Sequence, residues 1–202
     1  MISKKRILTE QKILDAVHEI IKNEGYDALG INKISKVAFV PKPLIYRYFG
    51  SFEMLIRTYV SKIDYLTNHL NGKEFVISDQ KIELKSQVTR LLIENFNYFF
   101  DNNNFQSIIL KSISEKSKFM TELSDRREEY NEPILNNLEN LFKDDQVDVR
   151  AISAILVSAT YFLTLHAKRN NSKFCGIDVK TEAGRDRIVS SINSIVSLMF
   201  KS

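Results

Sequence analysis

One cysteine, Cys175, in 202 residues leaves no partner for an internal disulfide and too few thiols for a multi-cysteine metal site, and it suits a reducing compartment. Tryptophan is missing, and three prolines and six glycines are few turn formers for a chain of this length. The shortage favours long helices. No run approaches the roughly 18 consecutive apolar residues of a membrane span. The short basic start MISKKR leads into polar TEQK rather than an apolar signal core. A cytoplasmic protein with no membrane partner is expected.

Chemical signatures are as scarce. No P-loop, G-x-S-x-G elbow or dinucleotide fingerprint occurs. His18, His69 and His166 stand singly, without H-x-x-x-H spacing or a nearby carboxylate pair, so structural roles are expected of them. Cys175 has no resolving cysteine to make it a redox sensor. The sequence therefore predicts no catalytic residue, no metal and no cofactor: not an enzyme.

What is present is an ordered, helical composition, 44% hydrophobic and 27% charged, enough for one large or two small domains. Charge is unevenly spread. Residues 1 to 50 hold nine Lys and Arg against five Asp and Glu, which accounts for the whole net charge of +4. A basic end on a neutral body points to a polyanion partner for that end.

Ile13, Leu14, Val17, Ile20 and Ile21 recur at helical spacing behind Thr9 as an N-cap, and Gly25 stops the helix. Ile31 to Ala38 makes a two-turn helix with Ile34, Val37 and Ala38 on one face. Phe39 and Val40 form a break. Pro41 and Pro43 then mark a third helix start, Pro43 with its φ already set for the first position. Along that helix Lys42, Pro43, Tyr46 and Arg47 share one arc, and Leu44, Ile45, Tyr48 and Phe49 share the opposite one. Gly50 ends it, Ser51 caps a fourth helix expected to reach about Leu70, and Glu53 suits that helix's first-turn dipole. After the polar break NGKEFVISDQK come longer helices over about 82–101, 105–115, 119–142, 147–170 and 181–201, about nine in all.

Three short helices with a tight break between the second and third describe a helix-turn-helix unit, or a plain three-helix packing unit. In the first reading, Lys42 and Arg47 supply charge for a groove about 12 Å wide. Tyr46 supplies a rigid ring whose hydroxyl reaches a phosphate oxygen.

The stretches ILDAVHEIIKNEGYDAL and INKISKVAFVPKPLIYRYFGSFEML resemble the TetR/AcrR family of bacterial transcriptional regulators, with LIYRYFGS the most specific part. The close resemblance covers about the first 60 residues. Beyond them only the helical layout and CGIDVKTEAGRDRIVSSI match, and weakly. The resemblance implies an all-α homodimer: a helix-turn-helix DNA-binding domain at 1–50, joined through the fourth helix to a ligand-binding and dimerisation domain at 51–202. By position it puts Asn32 and Lys33 against bases or backbone, gives base reading to Lys42, Pro43 and Leu44, and gives phosphate contact to Tyr46, Arg47 and Tyr48. The function it implies is a repressor that binds a palindromic double-stranded DNA operator and is released by a small-molecule inducer. An activator, or an apolar-ligand carrier or enzyme with an incidental basic end, is the alternative. Two positions depart from the family pattern. Phe39 stands where a turn glycine is usual, and Phe52 where a phosphate-contacting lysine is usual. Phe52 is then a lost cation or a packing residue covering Phe39. The Lys4-Lys5-Arg6 arm compensates by reaching the duplex flank, or is a frayed terminus.

In the body, the aromatics Phe96, Phe99, Phe100, Phe105, Tyr130 and Tyr161 serve as core, as an apolar inducer pocket, or as both. Ile152, Ile155, Leu156, Ala159 and Leu163, with Ile188, Ile192, Ile195, Val196 and Met199, form apolar faces on the last two helices. These are wide enough for a two-fold four-helix bundle between subunits, or they close a monomer core.

Overall fold

A computed structural model describes residues 4–64, 80–143 and 147–201. The described residues form nine α-helices and a short 3-10 turn: α1 Lys4–Glu24, the turn Tyr26–Ala28, α2 Ile31–Ala38, α3 Lys42–Phe49, α4 Phe52–Ile63, α5 Lys81–Asp101, α6 Asn103–Ser114, α7 Lys118–Leu141, α8 Val149–Asn170 and α9 Glu182–Met199. The all-helical fold expected from composition is what forms. The expected run of the fourth helix to Leu70, and His69, lie outside the described residues.

Packing divides the chain into two compact units, Met1–Asn68 with Asn103–Asp125, and His69–Asn102 with Arg126–Ser202. The domain boundary expected at residue 50 is not where packing divides. The reason is α4, whose Leu55, Ile56, Tyr59 and Val60 are buried in the same apolar cluster as Ile13, Leu14, Val17, Ile20 and Ile21 of α1. Ile34, Ala38, Val40 and Ile45 complete that cluster from α2, the turn and α3, with Ile108 of α6 and Met120 and Leu123 of α7.

A polar pin crosses this core. The Asn104 side-chain nitrogen donates to the Tyr59 hydroxyl at 2.8 Å and to the His18 carbonyl at 3.0 Å, and His18 Nδ1 lies 3.1 Å from the Tyr59 hydroxyl. Asn104 and Tyr59 are almost fully buried, so the bonds satisfy groups that water does not reach. His18 is structural, as expected.

Helix α1 begins earlier than the cap signal indicates. Thr9 is not its N-cap but an interior residue whose hydroxyl donates to the Lys5 carbonyl at 2.8 Å, the i−4 bond open to a mid-helix threonine. Residues 4–6 are helical rather than frayed.

In the second unit α5 packs beside both α8 and α9. Its cluster joins Leu84 and Val88 of α5, Ile134 and Leu138 of α7, Val149 and Leu156 of α8, and Ile192, Val196 and Met199 of α9. Arg150 binds Glu132 at 2.9 Å and Glu139 at 2.8 Å, fastening α8 to α7. Thr181 caps α9, accepting from the Gly184 amide at 3.0 Å and donating to the Asp178 carbonyl at 2.7 Å. Gly184 is needed there, because a Cβ would stand 1.9 Å from the Asp178 oxygen.

Among the described residues α8 alone is long and apolar enough to cross a membrane, and only 28% of its most apolar window is buried. It carries Ser153, Ser158, Thr160, Thr164 and His166 along its length, so its apolarity is not a continuous run. Much of its apolar surface nevertheless lies outside this chain's own packing.

Candidate nucleic-acid interface

The basic end folds so that α3 buries one side and presents the other. Ile45 is 1% exposed, and Leu44, Tyr48 and Phe49 are half-buried against the core of the unit. Lys42, Pro43, Tyr46 and Arg47 are all exposed. The two arcs read from the sequence are the two faces of the folded helix. The helix opens at Lys42 with Pro41 as its cap and Pro43 in its first turn, one residue earlier than expected. Gly50 closes it at φ 81, its amide donating to the Tyr46 carbonyl at 2.7 Å, and the Ser51 hydroxyl accepts from Met54 at 3.1 Å to start α4.

The turn between α2 and α3 is a Schellman motif. The Val40 amide bonds the Ser35 carbonyl at 3.1 Å and the Phe39 amide bonds Lys36 at 3.4 Å. Its left-handed position is Phe39, at φ 53 and ψ 41, where a side chain costs about 1–2 kcal/mol that glycine avoids. The phenylalanine recovers little of this by burial, since it is 93% exposed. Phe52 therefore does not cover it. Phe52 is half-buried against the core of the same unit, a packing residue in that sense alone.

Around α3 two arginines are already engaged. The Arg6 guanidinium lies 5.1 Å from the Tyr48 ring centre and that of Arg47 lies 5.7 Å from it, so two cations from different helices converge on one ring. Arg6 also binds Glu10 at 2.7 Å. Sequence spacing holds no signal for this meeting, because it depends on how α1 crosses α3. Asn32 is exposed in the first turn of α2, and Lys33 beside it is paired with Glu24. Behind this surface, Lys111 is bonded to Asp27 and Glu115, which hold it above the usual lysine range. Burial pushes the Tyr26 hydroxyl up to about 12, an effect the Lys111 ammonium only partly offsets.

The residues read as an inducer pocket do not share one setting. Phe96 and Phe99 are fully buried in the second unit, and Phe99 meets Tyr161 with ring centres 4.3 Å apart. Tyr161 accepts from Arg127 at 3.2 Å. Phe100 lies beneath two cations, Lys168 at 4.3 Å and Arg185 at 4.7 Å. Tyr130 is exposed, and Phe105 is buried in the first unit. Among the described residues no group of His, Cys, Asp and Glu is placed to hold a metal.

The residues read as a dimer face divide more sharply. Leu156, Ile192, Val196 and Met199 are buried in this chain's own core, so they are not available to a partner, and Ile152 and Ile188 are half-buried against the same cluster. Ala159 and Leu163 are half-buried. Ile155 at 65% and Ile195 at 39% remain exposed, joined by Leu198 at 65% and Phe162 at 50%, which the sequence reading did not include. Both helices carry apolar residues around most of their circumference, and periodicity does not say which stripe turns inward.

A basic first unit whose third helix stands outward after a tight turn has the form of a helix-turn-helix. Residues 13–58 match the family described as bacterial regulatory proteins, tetR family. No curated protein matches the chain. Among solved structures it is similar to a candidate fatty acid metabolism regulator from Clostridium perfringens, at 20% identity, TM-score 0.65, covering 92% of this chain and 96% of that one. It is similar also to NalD of Pseudomonas aeruginosa, the secondary repressor of the MexAB-OprM multidrug efflux pump, at 15% identity, TM-score 0.64 and coverage of 94% and 96%. FadR from Bacillus subtilis, solved with stearoyl-CoA, matches at 19% identity, TM-score 0.58 and coverage of 94% and 97%. These likenesses span nearly all of each chain and establish the fold. Residues 13–58 thus carry a tetR-family segment, on a fold similar to that of these regulators.

Proposed function

We propose that this regulator is a ligand-released repressor that binds a palindromic operator as a homodimer and catalyses no reaction. The observation that carries the reading is the division of α3 into a buried side and an outward side bearing Lys42, Pro43, Tyr46 and Arg47. An α-helix so divided enters a major groove with its first residues at the base edges and its flanks at phosphates. Lys42 and Pro43 read bases beside the half-buried Leu44, Tyr46 and Arg47 grip phosphate, and Tyr48 holds the Arg6 and Arg47 guanidiniums in place. Asn32 and Lys33 meet the neighbouring backbone, Lys33 exchanging Glu24 for a phosphate.

Two copies meet through the outward stripe of α8 and α9, where Ile155, Phe162, Ile195 and Leu198 are exposed. The inducer occupies the second unit, around Phe96, Phe99 and Tyr161. An inducer bound to one conformer shifts the population away from the operator-binding one. The pin through His18, Tyr59 and Asn104 makes α1, α4 and α6 move together.

Selection of bound sequences from a random duplex library, read with fluorescence anisotropy against salt, tests this. The expected product is an inverted repeat bound at nanomolar protein. Arg47→Ala should weaken all sequences alike and lower the salt slope by about one per head, whereas Lys42→Ala should change base preference. Weak binding with no selected sequence, or a monomer at micromolar concentration by sedimentation, would overturn the reading.

A further inference from the structure

The second unit buries three uncharged polar side chains in its described residues, Asn95, Thr160 and Thr164. Thr160 turns its hydroxyl to the Val157 carbonyl at 2.8 Å. The other two do not pair in this way. Neither the amide nitrogen nor the amide oxygen of Asn95, nor the hydroxyl of Thr164, has a hydrogen-bond partner, although Asn95 is 1% exposed and Thr164 0%. Burying such groups unpaired is destabilising, and native cores rarely keep them without a use.

Their placement points to that use. Asn95 lies one turn before Phe99 on α5, and Thr164 lies three residues after Tyr161 on α8, so each shares a helix face with a ring of the Phe99–Tyr161 contact. The unpaired atoms therefore stand at the seam of α5 and α8, beside buried aromatic surface. The amide of Asn95 offers two N–H donors and an acceptor oxygen, and the hydroxyl of Thr164 both donates and accepts. No charged side chain is buried among the described residues of this unit. Arg127 is already bonded to Tyr161, and Lys168 lies on the ring and carbonyl of Phe100. An ionised head drawn into the seam would have to take Arg127 from Tyr161 or Lys168 from Phe100 to offset its lost hydration.

We propose that Asn95 and Thr164 are the polar anchors of the inducer site, and that the inducer is a neutral molecule with an apolar body and one uncharged head that both donates and accepts hydrogen bonds, such as a primary amide or an alcohol. This rests on the reading of the protein as ligand-responsive, and it separates the chain's ligand class from the stearoyl-CoA bound by FadR.

The test uses the full-length protein with decanamide, decanol and decanoate, and with naphthamide, naphthol and naphthoate, so that the head changes while the body does not. Binding is followed by calorimetry and by melting-temperature shift without DNA, and release is followed separately on the selected operator. The neutral-headed member of at least one series should bind, with its carboxylate at least about tenfold weaker. Asn95→Leu and Thr164→Val should each weaken that probe by about three- to tenfold, the loss of one hydrogen bond, while the ligand-free protein melts no lower than the wild type. Undiminished probe binding in both variants would overturn the anchor assignment. A carboxylate binding as tightly as its neutral partner, or no neutral probe binding the wild type, would overturn the ligand class. Failure of operator binding with probe binding intact would instead strike the repressor reading.

Discussion

The two units bury polar and apolar groups by different rules. In the first, buried polar side chains such as Asn104 and Tyr59 are bonded to each other, and the helix faces close on one apolar cluster. In the second, Asn95 and Thr164 are buried unpaired, while Ile155 and Leu198 remain 65% exposed. The first unit leaves no buried polar side-chain atom unpaired among its described residues, although it too exposes apolar side chains, Phe39 at 93% most of all. The second keeps unpaired polar groups inside and apolar side chains outside, which on the proposed reading an inducer and a second copy would complete.

The largest expected break in that contrast is Ile192→Asp. Ile192 is 2% exposed in the second unit's own core, so an unpaired carboxylate there should cost about 3–5 kcal/mol and collapse the unit, visible as a lost melting transition in circular dichroism. Leu198→Asp on the same helix should leave stability within about 0.5 kcal/mol and instead produce monomers in sedimentation. A dimeric, stable Leu198→Asp protein would remove the outward stripe from the interface.

Next in size is the polar pin. Tyr59→Phe should destabilise the first unit by about 1–3 kcal/mol in urea, because Asn104 and His18 lose a buried partner. Asn95→Leu in the second unit should be neutral or stabilising. Equal losses at both sites would erase the distinction between the units.

Smaller effects are expected with pH, and of opposite sense. Burial raises the folded-state value of Tyr26 in the first unit, so its contribution is fully present below the tyrosine's ordinary value of 10 and is lost as pH rises through about 12. The Arg150 hydrogen bond lowers that of Glu132 in the second unit, so its contribution is present above the ordinary carboxylate value of 4.5 and is lost as pH falls. Melting temperature against pH should show the alkaline loss reduced in Tyr26→Phe and the acid loss reduced in Glu132→Gln. The smallest change expected is a gain: Phe39→Gly should stabilise the first unit by about 0.5–1 kcal/mol, the relieved left-handed strain less the added freedom of glycine when unfolded.

The first unit was the more legible of the two for a physical reason. Its helices are short and amphipathic, so Ile34 and Ile45 each had one direction to face, and Gly50 and Ser51 marked a boundary by their chemistry. Phe39 could be placed at the turn from its neighbours, but its exposure could not, since that depends on what stands opposite. Lys33 and Arg6 showed their charge and not their partners, which come from helices that meet only on folding. In the second unit, α8 and α9 are apolar on too many sides for spacing to choose between Ile192 and Leu198. Asn95 carries no signal at all until its surroundings exist, because an asparagine among aromatics looks the same whether its amide is satisfied or not.

The left-handed phenylalanine at the head's turn also limits the substitutions that can relieve it. No single base change turns a phenylalanine codon into a glycine codon, and the shortest routes pass through valine or cysteine. Valine, branched at Cβ, is the worse occupant of a positive φ, so that route deepens the strain before relieving it. Cysteine is the gentler step, and this chain already holds one at φ 50, in Cys175. The shortest routes to a glycine at this turn therefore pass through a more strained valine or through an exposed thiol at the tip of the head.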